Sequence, residues 1–408
     1  MIKLIFFLVI ALILFDYFQD VLLIFLNNKA SRQPIPPLLE GLYDNEKYNK
    51  QQAYARVNRK LSIVSGTIFT IFSLVMFAGG GIAMLDRAAT QLSSVPLVVS
   101  LLFLLFYSLI SSLIDLPLRI YKVFGIEQSF GFNKVTPRLF VTDKIKSLLL
   151  SIGMNGVIFT VVILIYQALP DYFWLLAWGV MMLISLCINF FYSEWIVPIF
   201  NKQTPLPEGD LRTAIEQFAQ KADFPISGIY VIDGSKRSTK ANAYFTGFGR
   251  KKRIVLYDTL IDMLSTDEIV AVLAHEAGHN HYKHTIKNMT VSMLTSLLMF
   301  YLLGLCLHYD AVAQAAGCPQ ASFHVNFTIF GVLYTPISLL LGIFGNIQSR
   351  HHEYQADNYV WKHGYAPYLV SGLKKLAAQS LSNLTPHPFC VFMRYSHPTL
   401  YQRILALS

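Results

Sequence analysis

The sequence predicts a mainly α, polytopic membrane protein with a small α+β domain set between its later spans. Three observations carry that reading. Of 408 residues, 54% are hydrophobic and only 14% are charged, against about 25% charged in a soluble domain. The apolar residues gather into seven long runs, each able to cross a hydrocarbon core about 30 Å thick. The stretch from Asn201 to about Met289 instead mixes polar and apolar residues as a folded domain does. The net charge of +9 then belongs to basic loops on one side of a membrane and is not a nucleic-acid footprint.

The elements follow in order. The first run, Ile2 to about Leu26, has Lys3 before its apolar stretch like a signal peptide. Asp16-Tyr-Phe-Gln-Asp20 stands where a small-residue cleavage site would be, so it reads as an uncleaved anchor helix. Asp16 and Asp20 should face protein or water, because charges facing lipid are costly. Further spans are expected near Ile63–Leu85, Val95–Leu116, Ser147–Leu169, Tyr172–Phe200, Thr290–Leu307 and Phe327–Ile347. Basic residues recur in alternate loops, from Lys29 to Lys60, from Arg119 to Lys146, from Lys202 to Lys287 and after Ile347. The positive-inside rule then places the N-terminus outside and the C-terminus in the cytosol. This divides the chain into residues 1–200 (spans one to five), 201–289 (a cytosolic domain), 290–347 (spans six and seven) and 348–408 (a C-terminal segment). Cys187, Cys306, Cys318 and Cys390 show no C-x-x-C spacing and read as packing residues.

Within the cytosolic domain, Leu211, Ile215, Phe218, Ala219 and Ala222 recur at helical spacing. Ile229–Ile232, Asn242–Thr246 and Arg253–Tyr257 read as strands, the last two joined by a turn over Gly247–Lys252. Ser265-Thr-Asp-Glu268 is a capping box opening a helix that contains His275-Glu-Ala-Gly-His279. His275 and His279 lie one turn apart on one face, the spacing two imidazoles need to share a metal ion. Glu276 sits about 100° round the same turn, placed to act as a general base. This is the H-E-x-x-H pattern of zinc peptidases. An ordinary core helix would give Glu276 no purpose beside two histidines.

A catalytic zinc site needs a third protein ligand. His281, His284, His351, His352, Glu353, Asp357 and His397 are the candidates. Glu353 is preferred, because it lies just past the seventh span on the same side as the histidine helix. Asp357, four residues on, would then orient a ligand histidine from behind. His281 and His284 read as surface or supporting positions.

These stretches together resemble the type I CaaX prenyl proteases, zinc metalloendopeptidases embedded in membranes. The resemblance is carried by Glu127–Lys134, Pro198–Gly209, Asn242–Phe245, Lys252–Asp258, the H-E-x-x-H helix, Glu353–Asp357 and Ser396–Pro398, in the family's order. It implies seven helices around a large water-filled chamber, with the active site at the cytosolic end. It implies one Zn²⁺ per chain on His275, His279 and Glu353, with Glu276 as base and Asp357 behind the ligands. Asn242, Ala243 and Tyr244 would lie on a strand that pairs with substrate. His397 and Arg403 would bind substrate and the oxyanion; His397 and Pro398 alone read only as a helix start, with Pro398 at its first position. The implied substrate is a prenylated CaaX-type protein or peptide, cut near its C-terminus, by a multi-pass protein of a bacterial inner membrane or endoplasmic reticulum, expected to work as a monomer. The residues leave two rivals: a quality-control protease of misfolded or stalled membrane proteins, and a seven-helix transporter or receptor without peptidase activity.

Overall fold

Apolar length decides most of the architecture. The computed structural model describes residues 1–246 and 252–408, so the turn expected over Gly247–Lys252 falls almost wholly outside the described residues. Helices α1 (Ile2–Ala30) and α2 (Asn45–Phe77) pack side by side, followed by the short α3 (Gly81–Leu92). Then come α4 (Pro96–Ile120), α5 (Pro137–Ala168), α6 (Phe173–Phe191) and the one-turn α7 (Val197–Phe200). The domain contributes α8 (Asp210–Lys221), α9 (Asp258–Ile261) and α10 (Thr266–His281). The chain then forms α11 (His284–Leu307), α12 (Asp310–Ala315), α13 (Phe323–Leu333) and α14 (Thr335–Lys362). It closes with α15 (Ala366–Gln379), α16 (Pro388–Arg394) and α17 (Leu400–Leu407). Six helical stretches among the described residues are long and apolar enough to span, and the pair α13–α14, bent by 53°, makes a seventh.

Two span boundaries differ from the sequence expectation. The second apolar run is two helices, because Gly79-Gly80-Gly81 interrupts it and Gly80 takes φ +78°, a conformation open to glycine at no steric cost. The spanning helix is α2, which starts at Asn45 and carries the basic residues Lys47 to Lys60 on its own first turns. The seventh run bends at Tyr334, and its second half continues as far as Lys362. That one helix therefore carries apolar residues at one end and Glu353 and Asp357 at the other. Asp16 and Asp20 stand one turn apart on α1. They line a cavity of about 610 Å³ shared with Arg59, Ser62 and Arg394, and Asp20 pairs with Arg394.

A buried polar clamp closes the opposite end of the bundle. His324 of α13 is 2% exposed. Its Nε2 lies 2.8 Å from Asp86 of α3 and its Nδ1 3.0 Å from Ser100 of α4. Ser-His-Asp is a nucleophile's company, but this Ser100 is 4% exposed and donates to the Pro96 carbonyl. The trio ties three helices together and is closed to substrate.

The domain sheet has four strands, β1 (Gln203–Pro205), β2 (Gly228–Ile232), β3 (Ala243–Thr246) and β4 (Arg253–Tyr257). Their order is β1-β2-β4-β3, with β2 and β4 parallel and both outer pairs antiparallel. β3 is thus an edge strand. β1, short and ending in a proline, gives too little pattern to be read from sequence; at an edge Pro205 is tolerated. Asn242 lies just before β3 and not in it. Ile254, Leu256, Ile269, Val270 and Leu273 form the domain core with Ile215 and Phe218 of α8. Arg237 fastens this domain to the spans, donating to Asp143 of α5 at 3.0 and 3.2 Å and to the Phe200 carbonyl at 2.6 Å. Lys240 does the same through Glu127, at 3.0 Å, with its ammonium over the Phe132 ring.

The capping box of α10 is present in full, and Glu268 does more than cap. Only 3% exposed, it accepts from Ser265 N–H at 2.8 Å, Ser371 Oγ at 2.6 Å and Lys375 Nζ at 2.7 Å. It therefore binds α10 to α15. Burial raises its pKa, but the Lys375, Ser371 and Ser265 bonds outweigh burial and hold it below the ordinary 4.5. A depressed carboxylate stabilises the fold fully above the ordinary value, and that contribution disappears as pH falls through the folded-state value. We expect Glu268→Ala to cost about 1–3 kcal/mol at neutral pH, and thermal unfolding in detergent should show the gap to wild type closing below pH 4.5. A gap independent of pH would show that the carboxylate's charge is not its source.

Candidate active site

The site forms where α10 crosses α14. Close approach is possible because α10 presents Ala271, Ala274 and Gly278, and α14 presents Ala356, with the alanines essentially unexposed. At Gly278 a Cβ would meet Tyr359 Cβ at 2.9 Å and Ala356 Cα at 3.0 Å. No side chain fits there. The same crossing points His275 and His279 at Glu353.

His275 Nε2 lies 3.1 Å from His279 Nε2 and 3.3 Å from Glu353 Oε2, while His279 Nε2 is 3.4 Å from Glu353 Oε1. A tetrahedral zinc ion with ligands at about 2.0 Å needs those ligands about 3.3 Å apart. The donor set also calls for a cation on its own account. Two imidazole lone pairs and two carboxylate oxygens converge, and Glu353 Oε2 is buried without a hydrogen-bond partner. Burying such a group unpaired is costly, so two histidines and one carboxylate fit the metal that the sequence implies.

Behind the ligands lies a buried ionic network. Asp357, with its side chain 1% exposed, sits 2.9 Å from His275 Nδ1. It also receives the guanidinium of Arg403, Nε at 2.9 Å and Nη2 at 2.6 Å. Burial disfavours a charged His275, yet the Asp357 and Glu353 carboxylates hold its pKa above 6.5. Those carboxylates draw positive charge into this spot. Arg403 Nη1 stops 3.5 Å from Glu353 Oε2, too far for a good bond, so Glu353 keeps an oxygen free.

The remaining candidates separate into near and far. Glu276 is half-buried one position beyond His275 and acts electrostatically on Arg403. His397, with 62% of its side chain exposed, reaches over the site to 3.4 Å from Glu353 Oε1. Arg403 faces Asp357, His275 and Glu353, with its side chain 11% exposed. Pro398 precedes the helix instead of opening it: Thr399 is the N-cap, with a capping box to Gln402. His351 is exposed and His281 packs on Tyr359, so neither joins the ligands. On β3, the Tyr257 N–H donates to the Asn242 carbonyl, which by strand alternation turns the Ala243 N–H to the free edge. That N–H donates to Asn242 Oδ1 at 2.9 Å. Tyr244 Oη accepts from Gln203 at 3.0 Å. Sequence reading passed over Gln355. It lies four residues before Tyr359 on α14 and two after Glu353, with no motif to draw notice, and it meets His284 at 2.8 Å.

A His-His-Glu cation site with an adjacent glutamate, formed where a helix of the sheet domain crosses the extension of a membrane-spanning helix, defines an integral-membrane metallopeptidase of several passes. Residues 25–202 match the CAAX prenyl protease N-terminal region of five membrane helices, and residues 205–408 match peptidase family M48. The chain belongs to the CAAX prenyl protease group of family M48. It is 35% identical to "CAAX prenyl protease 1" of Saccharomyces cerevisiae, over 93% of this chain and 90% of that one. It is 31% identical to the Homo sapiens homologue of that name, over 92% of this chain and 88% of the other. Its structure is similar to the crystal structure of S. mikatae Ste24p, with a TM-score of 0.94, 34% identity and 99% of both chains covered.

The crossing yields a direct check. Gly278→Ala forces α10 and α14 apart and should cost about 1–3 kcal/mol. It should also lower the zinc content of purified protein. Gly372→Ala is the control, since its Cβ would meet Glu268 Cβ at an ordinary 3.7 Å; there a gain of up to about 1 kcal/mol is expected. Full zinc occupancy in Gly278→Ala would show that the close approach does not set the ligand geometry.

Proposed function

We propose that this protein is a zinc metalloendopeptidase that cuts peptide bonds near the C-terminus of prenylated CaaX-type proteins or peptides. The observation that carries the reading is the His275–His279–Glu353 cluster, standing in a chain aligned over nearly its full length with relatives named CAAX prenyl protease 1. Because those relatives are eukaryotic, the reading puts the protein in the endoplasmic reticulum membrane, and it takes a monomer as the working unit. The basic loops put its site on the cytosolic face.

His275, His279 and Glu353 would hold one zinc ion. Bound there, zinc would supply Lewis-acid chemistry for the scissile carbonyl and a water of lowered pKa, towards about 7. Glu276 takes the proton of the attacking water and delivers it to the leaving amine. His397, exposed beside Glu353, donates to the developing oxyanion. Arg403 holds Asp357, Asp357 holds His275, and the same guanidinium keeps positive potential where negative charge accumulates. An extended substrate adds to the free edge of β3, where Ala243 N–H is available as Asn242 Oδ1 releases it. Main-chain pairing of this kind reads shape more than sequence. The lipid then supplies much of the binding energy, roughly 0.8 kcal/mol for each CH₂ buried.

Glu276→Gln should abolish turnover of a farnesylated peptide while zinc content stays unchanged. Removing the farnesyl group from the peptide should lower kcat/KM for wild type by at least about tenfold, less than the full transfer energy of the chain. Equal kcat/KM for the two peptides would favour a quality-control protease with the same chemistry, and an active Glu276→Gln would sink the mechanism.

Ala243→Pro removes an N–H that the β3–β4 ladder does not use, so the domain should fold. One lost hydrogen bond of about 1 kcal/mol should lower kcat/KM about fivefold on long and short peptides alike. Unchanged kinetics would place substrate elsewhere.

A further inference from the structure

The two histidines of the cluster are held in different ways. His275 has the Asp357 carboxylate at its back. His279 has another imidazole there: His279 Nδ1 and His284 Nδ1 are 2.9 Å apart. The other nitrogen of His284, Nε2, is 2.8 Å from Gln355 Oε1. His284 is 2% exposed, so water does not compete for these bonds. Its ring lies on His352, centroids 3.9 Å apart and planes 12° from parallel. His352 Nδ1 has no hydrogen-bond partner, so His352 steadies His284 by stacking alone.

Only one arrangement of protons serves a metal ligand. For His279 Nε2 to offer its lone pair, Nδ1 must carry the ring proton. That proton is donated to His284 Nδ1, which must then be bare. His284 therefore carries its proton on Nε2 and donates it to the Gln355 carbonyl oxygen. The reverse arrangement would put a proton on His279 Nε2, facing His275 and Glu353, and would close the site to a cation.

The backbone is shaped to allow this contact. α10 ends at His281 and α11 begins at His284, and Lys283 between them takes φ +56°. A non-glycine residue in the left-handed region is uncommon, and here it folds His284 back beneath His279, five residues earlier.

We propose that His284 and Gln355 form an uncharged hydrogen-bond relay that fixes the tautomer and ring orientation of His279, and so the affinity of the site for its metal. They are positioning residues and do not touch substrate. The inference rests on the reading of His275, His279 and Glu353 as the metal site. A neutral relay suits this position, because Glu353 and Asp357 already bring two carboxylates to the ligands against one Arg403 guanidinium. A third anion behind His279 would add unbalanced buried charge.

The test is zinc retention by the purified full chain, challenged with graded chelator, with zinc counted per chain at each step. His284→Phe keeps a ring on His352 and loses both nitrogens. It should weaken zinc binding by about 10- to 100-fold, the range found for partners of metal-ligating histidines. Gln355→Met should shift retention the same way by less. His284→Gln restores an acceptor for His279 and a donor for Gln355, and should return retention to within about threefold of wild type by that same relay. Wild-type retention in His284→Phe, alongside loss in Glu353→Ala, would overturn the relay and leave the metal site standing. So would equal loss in His284→Gln and His284→Phe, which would mark His284 as packing only. Retention in Glu353→Ala would defeat the metal-site reading, and the relay with it. If His284→Phe does not fold, Gln355→Met decides, at a half-buried position where methionine fits; unchanged retention there overturns the proposal.

Discussion

The structure depends on a charge balance buried between α10, α14 and α17. Glu353 and Asp357 are almost fully enclosed and Arg403 nearly so. One guanidinium against two carboxylates leaves a negative charge in excess, and it lies among two imidazoles. Removing one partner from such a group leaves an uncompensated charge at a cost of about 3–5 kcal/mol. The two imidazoles and the unpartnered Glu353 oxygen suit a cation that would offset that excess. Arg403 serves the fold by neutralising Asp357 and serves the chemistry by leaving Glu353 Oε2 unengaged.

Helix α14 ties this balance to the membrane. Its first half is apolar and belongs to the last bent span, and its second half carries Glu353, Gln355 and Asp357. The depth of the site is therefore set by the same rigid rod that crosses the bilayer. Arg237 and Lys240 tie the sheet domain to the spans at Asp143 and Glu127. The sheet then offers its free edge, β3, from a fixed position.

The sequence was most legible where physics is local. The cap at Ser265, the histidine spacing and the strands β2 and β4 each depend on neighbours within a few residues. Glu353 was reached by asking which carboxylate shares the histidines' side of the membrane, a topological argument. Legibility failed where the partner is distant. Arg403 meets Asp357 across 46 positions, and nothing beside it in the chain announces that contact; only the family resemblance singled it out. Gln355 was silent for the same reason, its partner being 71 positions away. The break at Gly79–Gly81 is a different failure, since the glycines were visible and the apolar run was read through them. The reach of α14 beyond the bilayer was hidden because hydropathy marks where a membrane ends and not where a helix does.

The 128 positions between His275 and Arg403 also impose an order in time. A ribosome delivers the histidine helix first, then Glu353 and Asp357, and the guanidinium last. Until α17 is made and docks, Asp357 is a carboxylate without its counter-ion, and His275 lacks its Arg403 contact. A chain cut before α17 can thus carry His275, His279 and Glu353 and still lack the guanidinium that settles Asp357 beside them. Docking of α17 is built into the site as its last assembly step.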